Sequence, residues 1–386
     1  MADKHTPPPA SPPAKVEAAG VDVAKGSSPE AAPTPAPVSP PAAAPDASTS
    51  PPPATEQVEP FVEEPANVEP DEVNSQGGSD AGSTYASDVS ETTSLSSSIF
   101  DYTYENGRRY HAYRAGQYLL PNDEREQERL DMTHHVFLLA LNGQNCKTKL
   151  DNPQAILDIG TGTGIWAIEM GDMYPSAIVT GTDLSPIQST WVPPNVHFEI
   201  DDANSEWSFP KNHFDLIHAR TVSGAIQSWP AFLSQCFSHC KPGGFIEMVE
   251  GRADFFCDDD TLNDTTATWR WLEEFRRLSR PLGFDITPKL PGLFKEAGFE
   301  DVELLQKVVP CGTWPKDPAL KEIGRWFRVQ FLEMAIEAYT LALFTRVGGW
   351  SNDAVQVLLA LVRAELKSNK LHVYTYVSFT TGRRPL

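Results

Sequence analysis

From residue 155 to residue 250 short apolar runs alternate with amphipathic stretches, and the changes of period fall at glycines and prolines. Residues 156–159 read as a buried strand, and 177–182, 196–200, 214–219 and 245–249 as further strands. The stretches after residue 164 and over 229–240 read as helices, and Lys241-Pro242-Gly243-Gly244 reads as a turn. Upstream, Pro121-Asn122-Asp123 starts a helix over 124–141, with Leu130, His134, Phe137, Leu138 and Leu141 at helical spacing. Downstream, a helix ends at Gly298 and a strand follows. Residues 319–343 and 351–368 then repeat a helical stripe that includes Leu320, Ile323, Phe327, Phe331 and Met334, and alternation over 371–380 predicts a last strand. Apolar strands alternating with helices predict an α/β fold, a parallel sheet covered on both faces.

The 386 residues divide unevenly. Residues 1–98 are rich in proline, alanine, serine and acidic side chains. They bury too little apolar area to offset chain entropy, and a disordered tail is expected. Residues 99–150 are expected to form a strap and helix over the active site. Tyr102, Tyr104, Tyr110, Tyr113 and Tyr118 crowd this stretch, as either a lid or a structural strap. The domain proper occupies 151–386, with a helical insertion at about 319–368. A net charge of −21 opposes direct binding to nucleic acid. The five cysteines form no Cys-x-x-Cys pair, so neither a disulfide framework nor a metal site is expected. No stretch reads as a membrane span or signal core, and a soluble intracellular protein is expected.

The chemistry concentrates at residues 156–170, where an apolar strand runs into Gly160, Gly162 and Gly164 and then into a helix. Glycine accepts positive φ and lets a ligand lie against the backbone, so this bend is a candidate cofactor loop. A dinucleotide loop, Gly-x-Gly-x-x-Gly, needs its third glycine where Ile165 stands, which disfavours a nicotinamide enzyme. About twenty residues on, Asp183 ends the second strand, where a carboxylate can accept both hydroxyls of a ribose. Asp201 and Asp202 end the third strand, and Arg220 lies at the end of the fourth. Trp166 is read as core packing ahead of a cofactor contact, and Cys236 and Cys240 as core packing.

Asp158-x-Gly160-x-Gly162-x-Gly164, Asp183, Asp202, residues 214–220 and residues 241–244 recur in the order seen in class I S-adenosylmethionine (SAM) methyltransferases, which the chain resembles over roughly 154–379. Residues 105–111, 118–123, 162–169 and 183–188 narrow the resemblance to the fungal LaeA-like methyltransferases. It implies a Rossmann-like sheet, mostly parallel with an antiparallel last strand, and SAM as cofactor. The implied cofactor residues are Asp158, Gly160, Thr161, Gly162, Gly164, Asp183, Leu184, Asp201, Asp202, Ala203, Ala219 and Arg220, with Asp202 toward the adenine amino group. His218 and Glu250 are the candidate bases. Methyl transfer gains most from alignment, so a base is optional. No Asn/Asp-Pro-Pro-Tyr follows the fourth strand and no SET-type signature is present, which disfavours base, amide and histone-lysine methylation. Two roles stay open within the group: methylation of a small-molecule or peptide acceptor in fungal secondary metabolism, or nuclear regulation of secondary-metabolite gene expression through velvet-type protein partners. Cytoplasmic and nuclear residence are both compatible with it.

Overall fold

The computed structural model describes residues 66–70, 102–105, 107–110 and 120–386. Most of the expected tail lies outside the described residues, as do Tyr113 and Tyr118 of the expected strap. A hairpin of β1 (Thr103–Glu105) and β2 (Arg108–Tyr110) precedes α1 (Glu124–Ala140). The Asp123 side chain caps α1 by accepting from the Glu126 N–H, as its position before the apolar stripe suggests. There follow β3 (Ala155–Ile159), α2 (Ile165–Met173), β4 (Ile178–Asp183), β5 (Val196–Ile200), β6 (Phe214–Arg220), α3 (Trp229–His239) and β7 (Cys240–Gly251). Then come α4 (Ala267–Ser279), α5 (Leu290–Glu296), β8 (Glu300–Pro310), α6 (Pro318–Gln330), α7 (Ile336–Ala342), α8 (Asn352–Lys367) and β9 (Tyr374–Arg383).

Seven strands form one sheet in the order β5-β4-β3-β6-β7-β9-β8. Strands β3 to β7 pair in parallel, and β9 runs antiparallel between β7 and β8. All five residues of β3 are buried, which is why it reads as an apolar run with no alternation. The order reverses between β3 and β6. Ligands of open α/β sheets bind beyond the strand ends at such a point, and the glycine bend is placed there.

Three differences from the sequence expectations have physical causes. Lys241–Gly244 does not stand outside the sheet as a turn: β7 already begins at Cys240, and the Gly243 N–H bonds to Arg384 O (2.9 Å). The end of the chain thus draws a Gly/Pro segment into the ladder, at a register shift opposite β6. The last strand begins at Tyr374, three residues beyond the expected start. Helix α4 carried no expectation, although Trp271, Leu272, Phe275 and Leu278 recur at helical spacing. Its apolar face packs with α6, α7 and α8 in a second core beside the sheet, including Phe331, Phe344 and Leu359. Cys236 and Cys240 are both fully buried, as core packing requires.

Candidate active site

The bend between β3 and α2 holds Gly160, Gly162 and Gly164 at φ values of +67°, +60° and +82°. At Gly164 a Cβ would lie 2.3 Å from the Phe198 ring, so that position requires glycine on both counts. The Gly162 N–H donates to Asp183 Oδ2 (2.9 Å), and Asp183 Oδ1 accepts from the Ser185 N–H (3.0 Å). The second-strand carboxylate therefore locks onto the glycine bend while each oxygen keeps a lone pair for a ligand. Burial pushes the Asp183 carboxyl up to about 6 against those two N–H bonds.

Around these groups opens a cleft of about 840 Å³. Gly160, Gly162, Asp183, Leu184, Asp201, Asp202, Ala203 and Arg220 line it together, joined by Asn122, Glu126 and Leu130 of the α1 region. Asp202 is buried, and its Oδ1 accepts from the Asn204 backbone and side-chain amides (2.9 and 3.0 Å). Arg220 Nη1 lies 2.7 Å from His134 Nδ1. Burial, aided by that guanidinium, pulls His134 down to about 4, so its neutral ring accepts from Arg220.

The remaining candidates lie behind the cleft. Asp158 is 1% exposed and takes the Thr161 hydroxyl on Oδ2 (2.6 Å) and His218 Nδ1 on Oδ1 (2.7 Å). The His218 ring stacks on Trp166 at 3.6 Å, with the planes 7° apart. His218 lines neither this cleft nor the aromatic cavity that adjoins it; it borders a small pocket of about 230 Å³ with Trp166 and Arg220. It pairs in register with Asp158 in the middle of the sheet, and the strand end that faces a ligand is two residues further on, at Arg220. Asp158, Thr161, Gly164 and Ala219 likewise do not line the cleft. The first three shape the bend, and Ala219 is packed in the core.

A second cavity of about 1100 Å³ adjoins the first, with Thr221 in the walls of both. Helix α1 is the partition. Glu126 and Leu130 face the cleft, whereas Arg129, Thr133, Val136 and Phe137, on the neighbouring stripe, face the second cavity. The opposite walls carry Phe255, Trp271, Phe275, Phe284, Phe327, Phe331, Tyr339 and Tyr376. Its other charges are matched: Arg129 bonds Glu126 (2.7 Å), Arg252 bonds Asp285 (3.0 Å) and Arg276 bonds Asp254 (2.9 Å). Glu250 differs. Its oxygens accept from the Val222 and Ser223 N–H groups (2.8 and 3.1 Å) and the Ser223 hydroxyl (2.6 Å), and burial pushes it up to about 7. Val222 lines the cleft and Ser223 the cavity, so this carboxyl is at the junction.

These groups suit an adenosyl sulfonium. The cleft has two acidic strand ends for hydroxyl and amino donors, and a bend where side chains are excluded. Residues 125–304 match the family described as "Methyltransferase domain". The protein is a SAM-dependent methyltransferase of class I. Curated relatives place it more narrowly. It is 44% identical to the methyltransferase pytC of Aspergillus terreus over 73% of this chain and 88% of pytC. It is 39% identical to the secondary metabolism regulator LAE1 of Cochliobolus heterostrophus over 73% of this chain and 94% of LAE1. It is 35% identical to the protein-methionine methyltransferase laeA of Emericella nidulans over 73% of this chain and 76% of laeA. The chain belongs to the fungal LaeA-like methyltransferase family.

Glu126, Arg129, Trp271 and Tyr339 fall in none of the sequence motifs. The helical stripe of α4 was the available signal for Trp271, and the two stripes of α1 for Glu126 and Arg129. Nothing local marks Tyr339, which reaches the cavity from α7 and lies 210 residues beyond Arg129.

Proposed function

We propose that this methyltransferase acts on a small, ring-bearing acceptor held in the second cavity, as a tailoring step in fungal secondary metabolism. The observation that carries this reading is the aromatic cavity joined to the cofactor cleft at Thr221, with the Glu250 carboxyl at the junction. Bound SAM supplies an activated methyl group on a sulfonium. Asp183 and Asp202 orient the adenosine from the β4 and β5 ends, and Arg220 offers a cation to the cofactor carboxylate. Glu250, poised near neutrality, takes the proton of an acceptor hydroxyl or amine as its oxygen or nitrogen attacks. The aromatic walls exclude water and hold the acceptor in line, where alignment contributes on the order of 7–11 kcal/mol.

The names of the relatives favour a second reading, a regulator of secondary metabolism; velvet-type partners and nuclear residence come to that reading from the family resemblance alone. Comparing a gene-deletion strain with its parent separates the two. A tailoring enzyme leaves one precursor accumulated, a methylene lighter than the lost product. A regulator leaves whole biosynthetic pathways altered in expression, and removal of residues 1–98 abolishes that effect while sparing methylation. Loss of neither product nor expression would contradict both readings.

A further inference from the structure

Glu126 is 3% exposed and lines the cofactor cleft from α1. Its Oε1 accepts from Arg129 Nε (2.9 Å) and Nη2 (2.7 Å). Its Oε2 is buried and has no hydrogen-bond partner. The nearest guanidinium on that side, Arg108, forms an ion pair with Oε2 at 3.9 Å, beyond hydrogen-bond reach; it directs Nε and Nη2 to Asp123 (2.6 and 2.8 Å), and its Nη1 is likewise buried without a hydrogen-bond partner. A buried carboxylate oxygen without a donor is rare and costly, and its position calls for one.

The cleft says where that donor comes from. One turn before Glu126, the Asn122 amide bonds to Ser185 Oγ (3.2 Å), two residues past Asp183. One turn after it, Leu130 packs over Gly162, where it would touch an added Cβ at 3.1 Å. Glu126 therefore overhangs the cleft between the acidic end of β4 and the glycine bend. A bound adenosyl cofactor presents there only two kinds of donor, ribose hydroxyls and the α-ammonium group.

We propose that Glu126 is a further cofactor-holding residue, accepting a hydrogen bond from the bound cofactor on Oε2 while Oε1 holds Arg129 in the wall of the acceptor cavity. Arg129 Nη1 also bonds the Tyr339 hydroxyl (3.0 Å), so the same ion pair ties the cofactor site to the polar end of that cavity. This inference rests on the reading of the cleft as the SAM site and of its neighbour as the acceptor site.

The test is calorimetric titration of the full chain with S-adenosylhomocysteine (SAH) and with 5′-methylthioadenosine, which keeps the ribose diol and lacks the ammonium. Glu126→Gln alone leaves Arg129 without its counter-charge. A second variant, Glu126→Leu with Arg129→Met, replaces the pair by apolar side chains of similar volume and is expected to keep the fold. Loss of a charge-assisted bond predicts SAH affinity weaker by about tenfold or more in the double variant, with its ligand-free thermal midpoint held. An equal loss for both ligands assigns the donor to the ribose, and a loss for SAH alone assigns it to the ammonium. Both outcomes support the proposal. A double variant that binds both ligands as tightly as the unaltered protein overturns it, leaving Glu126 as a structural partner of Arg129. Failure of the unaltered protein to bind SAH would instead remove the reading of the cleft itself.

Discussion

Substituting Asp183 by alanine probes the cofactor cleft at its most connected group. The side chain accepts from Gly162 and Ser185, and in the proposed site its remaining lone pairs receive the ribose hydroxyls. Two charge-assisted bonds to a vicinal diol contribute about 3–6 kcal/mol together, or roughly 10²- to 10⁴-fold in affinity. Loosening of the bend through the freed Gly162 N–H adds to that loss, and ribose rebinding to water subtracts from it. Asp183→Ala is therefore expected to weaken SAH binding by at least about tenfold. Protonation gives an independent handle on the same group. Burial raises this carboxyl to about 6, and the ionised form is the better acceptor. Affinity should thus be full well above that value and fall as pH drops through it, being about tenfold weaker at pH 5 than at pH 8. Asp183→Asn should flatten that profile. Calorimetry with SAH from about pH 5 to pH 8, on matched unaltered and variant proteins, reads both effects. An alanine variant within twofold of the unaltered protein, or an unaltered protein whose affinity ignores pH, would refute the reasoning.

Three further outcomes are expected. Glu250 is raised from 4.5 to about 7 by burial, so its contribution to stability is complete below the unfolded value and is lost as pH rises through the folded one. That loss is about 3 kcal/mol, so thermal midpoints should show Glu250→Gln gaining on the unaltered protein between pH 4 and pH 8, and parallel pH dependences would contradict it. The same variant should slow methyl transfer by about 10²-fold or more and remove the rise in rate near pH 7, measured with any accepted substrate; an unchanged rate profile would exclude Glu250 as the base. Gly164→Ala forces a methyl group toward the Phe198 ring at φ +82°, and urea unfolding should show a loss of about 2–4 kcal/mol, with a loss below 1 kcal/mol counting against the packing described.

The glycine bend and the acidic strand ends were legible because each depends on local chemistry. Glycines at 160, 162 and 164 are the residues that accept the positive φ found there, and Asp183 and Asp202 follow apolar strands at short range. Strand register was less legible. Residues 214–220 read as one strand, yet which of them reaches the edge depends on pairing with β3, and that pairing places His218 beside Asp158 and Arg220 at the cleft. The second cavity could not be read at all from local pattern. Its walls come from α1, the β7 end, α4, α6, α7 and β9, brought together by packing across the chain. Glu250 was nonetheless identifiable as an acid at the end of a strand, whereas its proton affinity depends on burial that only the assembled fold supplies. The Lys241–Gly244 segment shows the converse: good turn chemistry is overridden when a neighbouring strand, here the residues around Arg384, offers it hydrogen bonds.

In the proposed arrangement two adjoining cavities, divided by α1, hold methyl donor and acceptor on either side of Thr221. A crystal structure of the complex with SAH tests it directly. The ribose is expected on Asp183, the adenine beside Asp202 and the sulfur facing Thr221 and Glu250. SAH bound in the aromatic cavity, or with its sulfur turned away from Glu250, would contradict it.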